Sequence, residues 1–380
     1  PLTGKLAEAA AAIRDGVLAA YYDTPETSKQ PRLQVIDSGD TPDSALAAYQ
    51  QAVLDGAQFV IGPLRKEAVQ TLAIQPQLAV PVLALNQLED QALSNPSLYQ
   101  FGLAPEDEAR EIARLAWREG YTRSIALLPE TEWGERVYGA FAGEWRLLGG
   151  EILDARRYDN TVTDHGKILS DALHLDSSKA RHQQLTRQLG TALEFEPRRR
   201  KDVDFFFLVA SPNQARLIRP QLSFYRATTI PVYATSRVYS GQPNVSQDAD
   251  MNGIIFCDMP WTLDKDSNWQ HLQQTINDFW PAAANRYARL YALGIDAYRL
   301  VPYLGNGNAS LFSAYRGVTG NLTLAYPGLV SRTLRCAEFT HGVPVLLEQD
   351  SNDETGMSML PERDSNDDIQ QQQVPGPAVR

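Results

Sequence analysis

The chain has 380 residues, 43% of them hydrophobic and 21% charged, with 25 glycines. That globular balance excludes a wholly disordered or fibrous protein and leaves room for two or three cores. A formal charge of −11, from 35 basic and 46 acidic residues, argues against nucleic-acid binding, which needs a cationic face for phosphates.

The opening Pro1-Leu2-Thr3-Gly4 is a strand-to-helix turn with no strand, initiator Met or signal peptide in front of it. It reads as part of a longer precursor that continues upstream with four to six apolar residues. Leu6, Ala10, Ile13, Val17 and Tyr21 then recur at steps of four and three, one stripe of a helix. Arg32–Ile36 is strand-like, and Thr41-Pro42 supplies an N-cap followed by proline at the first helical position. Strands are expected at 58–61, 80–85 and 98–103, with a helix over 65–74.

A second series begins at Pro105-Glu106-Asp107-Glu108, whose acids suit a helix first turn. Strands at 124–128, 151–158, 203–210, 231–235 and 253–257 alternate with helices. The near-continuous apolar run Phe205–Ala210 implies a parallel strand covered on both faces. No apolar run exceeds its six residues, whereas a bilayer span needs about 20. Residues 174–202 are polar, end in Arg198-Arg199-Arg200-Lys201, and read as a surface insertion with a solvated basic flank. A long helix over 283–304 precedes strands at 322–325, 334–339 and 343–347. Residues 350–380 carry seven acids against two Arg and read as a disordered acidic tail. Cys257 and Cys336, each in a strand-like run, read as two reduced core residues in preference to one bridge.

Motif tests are mostly negative. Gly4-Lys5-Leu6 lacks the hydroxyl of a phosphate loop. Gly305-Asn306-Gly307 has Ser310 where a dinucleotide loop needs glycine, and reads as a turn. None of the five His lies in a zinc spacing, and Asp264 and Asp266 fall in a polar loop. The residues therefore favour a protein that is not an enzyme and has no cofactor and no metal ion.

Several runs carry a resemblance. Pro1–Gly4 with Ile13–Gly16, Ile61–Leu64 and Val82–Asn86 resemble type I periplasmic binding proteins. Gly62-Pro63-Leu64-x-Lys66, Leu83–Gln87, Phe101–Arg110, Arg289–Ala297 and Gly317–Thr323 resemble, more specifically, the C-terminal domain of the LppC family of penicillin-binding-protein activators, over about residues 1–348. The resemblance implies an α/β, two-lobed type I periplasmic-binding-protein-like fold, each lobe a doubly wound, mostly parallel sheet. We expect one lobe from 1–103 and 261–319, and another from 104–260 and 320–349. It also implies a non-catalytic periplasmic regulator that binds and stimulates a class A penicillin-binding protein, a peptidoglycan synthase. Attachment to the outer membrane would be through an N-terminal lipid anchor absent from this chain.

Ligands of open α/β sheets sit beyond the carboxyl ends of strands. There this sequence places Arg65, Lys66, Asn86 and Gln87 on one lobe and Trp133, Thr235, Ser236 and Arg237 on the other. One reading is a cationic cleft with an aromatic wall for a small acidic ligand, as in a solute-binding protein. The favoured reading is that the cations fill the cleft and pair with acids.

Overall fold

Continuous apolar runs become central strands because a strand covered by helices on both faces has no side for polar residues. In the run Phe205–Leu208, Phe205 and Phe207 pack with Ala126, Phe141 and Trp145 on one face, while Phe206 and Leu208 pack with Ile125, Leu127 and Ile218 on the other. All four run residues are fully buried. The same alternation sends Leu83 and Leu85 into one core and Val82 and Ala84 into another.

The computed structural model describes residues 1–24, 31–88, 95–191, 194–264, 269–305, 314–325 and 328–347. Asn306, Gly307, Ser310, Asp266 and the acidic tail 350–380 lie outside the described residues, so the expectations placed on them are not addressed. The first strands are β1 (Val60–Ile61), β2 (Val82–Ala84), β3 (Leu98–Gln100), β4 (Arg123–Pro129) and β5 (Glu151–Tyr158). They are followed by β6 (Phe205–Leu208), β7 (Val232–Thr235), β8 (Ile254–Asp258) and β9 (Tyr315–Arg316). The last are β10 (Asn321–Ala325), β11 (Leu329–Thr333), β12 (Arg335–Thr340) and β13 (Val343–Leu346).

These strands build two sheets, ordered β1-β2-β3-β11-β10-β9 and β13-β12-β8-β7-β6-β4-β5. Pairing is parallel except where β9 and β11 flank β10 and where β12 joins β8 and β13. The chain passes between sheets after β3, after β8 and after β11, so three connections join them. This is the α/β, mostly parallel architecture read from the sequence.

The helices that position the strand ends are α1 (Ala7–Asp23), α2 (Pro42–Leu54), α3 (Lys66–Ala73), α4 (Pro105–Arg118) and α5 (Glu132–Leu147). Thr41 caps α2 as expected: its Oγ1 accepts the Ser44 N–H at 3.1 Å, and Ser44 Oγ accepts the Thr41 N–H at 3.1 Å. Helix α1 crosses the late helix Ala288–Leu304 with almost no side chain between them. A Cβ on Gly16 would sit 2.2 Å from the Tyr291 carbonyl oxygen, and one on Gly294 would sit 2.1 Å from that of Ile13. Only glycine permits this approach.

Four expectations need correction. Asn321–Ala325 and Leu329–Thr333, expected in the second lobe, pair as β10 and β11 in the first sheet, where β11 aligns beside β3 with Leu329 opposite Gln100. Arg32–Ile36 forms no strand; alternating apolar residues make a strand only where another strand is there to pair with. The 174–202 insertion holds a helix, Leu175–Leu189, and its basic quartet is not merely solvated. Arg200, 11% exposed, pairs with Asp202 at 2.7 Å, and Arg199 donates to the Arg226 carbonyl oxygen at 2.8 Å.

Finally, Cys257 and Cys336 form a disulfide. Strand β12 runs antiparallel to β8 and sets the two residues directly opposite, Cα atoms 3.9 Å apart, closer than even the about 4.5 Å of a non-hydrogen-bonded cross-strand pair. The bridge closes a sequence separation of 79 residues. Replacing both cysteines by alanine is expected to lower unfolding stability by about 2–4 kcal/mol, through the entropy returned to the unfolded chain. Urea denaturation with and without a reductant checks this; an unchanged midpoint in both comparisons would count against the bridge.

Candidate functional site

The turn after β1 and the end of β2 are stitched together. The Leu85 N–H donates to the Pro63 carbonyl oxygen at 2.9 Å, and Asn86 Nδ2 donates to that of Leu64 at 2.9 Å. Asn86 Oδ1 accepts the Gln87 N–H at 2.9 Å. Asn86 is therefore occupied in shaping the turn, while Gln87 Nε2 is buried without a partner. Arg65 is the N-cap residue of α3 and Lys66 its first residue. Arg65 pairs with Asp40 at 3.4 Å and with Glu67 at 3.6 Å.

The second group comes from the other sheet. Thr131 caps α5 by accepting the Gly134 N–H at 3.1 Å, which sets Trp133 in the first turn. The Arg237 guanidinium lies over the Trp133 ring, 5.0 Å from its centroid, a cation–π contact. Trp133 Nε1 and Thr235 Oγ1 are buried with no partner. Ser236, also buried, donates its backbone N–H to Glu108 Oε2 at 3.0 Å. The structure thus brings Arg65, Lys66, Asn86 and Gln87 together around one pair of strand ends. It brings Trp133, Thr235, Ser236 and Arg237 together around another.

Glu108 opens a network of buried charged groups. Arg289, on the late helix, holds Asp258 at the end of β8 at 2.5 Å and donates to the carbonyl oxygens of Ser236 (3.2 Å) and Tyr239 (3.0 Å). Burial works against the Arg289 charge, but Asp258 outweighs it and the pKa is raised. Arg332, from β11, is buried with Nε and Nη2 unpartnered, and burial lowers its pKa. Burial, and then the Asp258 carboxylate, push Glu108 up to about 7 against the pull of Arg332, the Ser236 N–H and Arg289. A buried carboxyl beside another carboxylate favours its neutral form.

A second buried carboxylate, Asp296, accepts the N–H groups of Val318 (3.0 Å) and Thr319 (2.7 Å) and the Thr319 hydroxyl (2.5 Å). Its neighbour Gly317 has no room for a Cβ, which would lie 2.4 Å from Asp296 Oδ2. The signal for most of this network was present in the runs Phe101–Arg110, Arg289–Ala297 and Gly317–Thr323, which contain Glu108, Arg289, Asp296 and Thr319. Asp258 and Arg332 stand in no such run. The first-turn reading of Pro105–Glu108 holds for all three acids; Glu106 and Asp107 pair with Arg136 and Arg110, while Glu108 is also buried. Among the described residues, no group of three or more His, Cys, Asp or Glu is placed to hold a metal ion, and no helix is long and apolar enough to cross a membrane.

A family model described as "LppC putative lipoprotein" matches residues 1–342. A protein of Photobacterium profundum named penicillin-binding protein activator LpoA is 31% identical over 344 residues, 90% of this chain and 55% of that one. The chain thus spans about half the length of the curated relatives it matches. The solved C-domain of LpoA from Haemophilus influenzae, titled a regulator of PBP1A, covers 92% of this chain and is itself covered over 98%, with a TM-score of 0.67 at 24% identity. The leucine-binding protein LivK of Thermotoga maritima matches with a TM-score of 0.53 at 14% identity, over 93% of this chain and 97% of its own. The last two likenesses show the fold: that of type I periplasmic binding proteins.

The Glu108 environment carries a pH signature. Its carboxyl binds a proton more tightly in the folded chain than in the unfolded one, so stability attributable to it falls as pH rises from about 4.5 to about 7. Glu108→Gln keeps the acceptor for the Ser236 N–H and removes the titration. Subtracting variant from wild-type stability, measured by urea unfolding between pH 4 and 8, is expected to give a difference that shifts steadily in the variant's favour with pH. A flat difference would rule out the raised pKa.

Proposed function

This chain belongs to the LppC family, and from that membership we propose that it acts without catalysis, by docking on a class A penicillin-binding protein and stimulating it. The supporting observation is the 31% identity to a penicillin-binding protein activator across 90% of the chain. A regulator of this kind works by binding one state of its target more tightly than the other, which shifts the population without any bond being made. The periplasm, with a lipid anchor elsewhere in the full-length protein holding it at the outer membrane, is the compartment this reading requires. The cross-strand disulfide fits an oxidising compartment.

The candidate cleft residues support the same reading. Arg65 is engaged by Asp40 and Glu67, so its charge is already answered, and Arg237 lies against the Trp133 ring. The purified chain, immobilised, should bind a detergent-solubilised class A synthase saturably and raise its rate of glycan-strand synthesis, while a class B transpeptidase shows neither effect. Absence of binding to the class A enzyme of the same organism sinks the proposal.

A second reading rests on Gln87 Nε2, Trp133 Nε1 and Thr235 Oγ1, three buried polar atoms without partners. Such atoms cost free energy unless something supplies acceptors, and an acceptor-rich acidic molecule would. Thermal unfolding with a muramyl peptide discriminates: ligand at 100 times its Kd adds about 2.7 kcal/mol, a rise of several degrees. No rise at millimolar concentration leaves only the regulatory reading.

A further inference from the structure

The helix Leu175–Leu189 of the 174–202 insertion is fastened to the second sheet's body only at its root. Leu173 and Leu175 join the core of that sheet. The returning chain ties the first turns down. The Arg200 N–H donates to the Leu173 carbonyl oxygen (3.0 Å), and the Arg198 N–H to Ser178 Oγ (3.2 Å). Farther along, the Phe195 ring stacks on His182 with centroids 4.1 Å apart. The outer turns are therefore held in place, and the surface they present is set in advance.

Beyond the first turn the usual amphipathic pattern is inverted. The least exposed positions are polar: Ser178, His182 and Thr186. The leucines face outward, Leu185 at 49% and Leu189 at 61% exposure. A helix that served only the protein's own core would turn its leucines inward. The charges are also unbalanced. Lys179 and Arg200 pair with Asp176 and Asp202. Arg181, Arg187, Arg198 and Lys201 are exposed and form no ion pair among the described residues. Residues 174–202 hold seven basic and four acidic residues, a net of +3 on a chain of net −11.

We propose that the outer face of this helix is where the chain docks on the class A synthase, against an acidic surface with an apolar pocket. Leu185 and Leu189 are the anchors, and Arg181, Arg187, Arg198 and Lys201 the basic rim. This inference rests on the regulatory reading and adds to it a docking face. Two exposed leucines one helical turn apart have the spacing by which a helix enters an apolar groove. The charge argument is independent of that spacing. The remainder of the chain is strongly acidic and repels an acidic partner, so this basic face selects the orientation of the encounter. A lipid surface fits less well, because a helix lying on a bilayer needs an apolar stripe along its length. Here Arg181 and Gln188 occupy the positions that would extend the stripe.

The test measures binding kinetics of the immobilised chain with the detergent-solubilised class A synthase of the same organism. Leu185→Ala combined with Leu189→Ala should weaken binding about 30-fold or more, mainly through faster dissociation. Arg181→Glu combined with Arg187→Glu should slow association about tenfold at low salt and flatten its salt dependence. Leu147→Ala, which removes an 85% exposed leucine on α5, should change neither rate. All three proteins should melt with the wild type; if the leucine variant melts lower, the arginine variant decides. Wild-type binding by both double variants overturns this face and leaves the regulatory reading standing. No binding by the wild type overturns both. Phosphatidylglycerol vesicles form the last arm: binding to them that the leucine variant loses, with synthase binding unchanged, assigns the helix to a membrane and overturns the proposal.

Discussion

The Arg289–Asp258 ion pair couples the helix layer of the first sheet to the strand ends of the second. Arg289 also donates to the backbone at Ser236 and Tyr239, and Ser236 in turn donates to Glu108. One guanidinium therefore sets the late helix, the ends of β7 and β8 and the first turn of α4 in a common geometry. A buried ion pair adds little net stability over apolar residues of the same shape, because desolvation offsets the attraction. Its effect is on placement: alternative positions of the late helix would leave the buried Asp258 carboxylate without its counter-charge, which is strongly unfavourable.

Placement matters because the candidate cleft residues sit on either side of this joint. Asn86, Arg65 and Lys66 belong to the first sheet's strand ends, and Trp133 and Arg237 to the second's. Arg332 reaches the network from β11, the last strand before the chain crosses to β12. Under the proposed docking role, rigid relative placement matters more than a reactive group. The glycine-mediated crossing of α1 and the late helix serves the same end, since close backbone packing permits few alternative arrangements.

The recurring motifs acquire physical meanings only in this setting. Gly16 and Gly294 are the points where two helices touch. Asp296 secures the Val318–Thr319 backbone, and Gly317 makes room for its carboxylate. Asn86 holds the Gly62-Pro63-Leu64 turn. Each motif was legible as a string of residues, but none announced its contact, because the partner lies tens to hundreds of positions away. Glu108 shows the difficulty most clearly: three consecutive acids in a helix first turn look alike in sequence, and only packing against Ser236 separates the buried one from its half-buried neighbours.

What the amino-acid order determined by itself was local. Apolar stripes at helical spacing, fully apolar strand runs, the Thr41 cap and the alternating α/β class all follow from residues near one another in the chain, and they stand in the structure. What only the tertiary structure decided was pairing between distant segments. The register of β12 against β8 bridged two cysteines 79 positions apart. The alignment of β11 beside β3 moved two strands into the first sheet, and Arg32–Ile36, despite its alternating pattern, joined neither sheet. Backbone hydrogen bonds between strands carry no side-chain label, so a short segment's own sequence fixes its periodicity but not its neighbour.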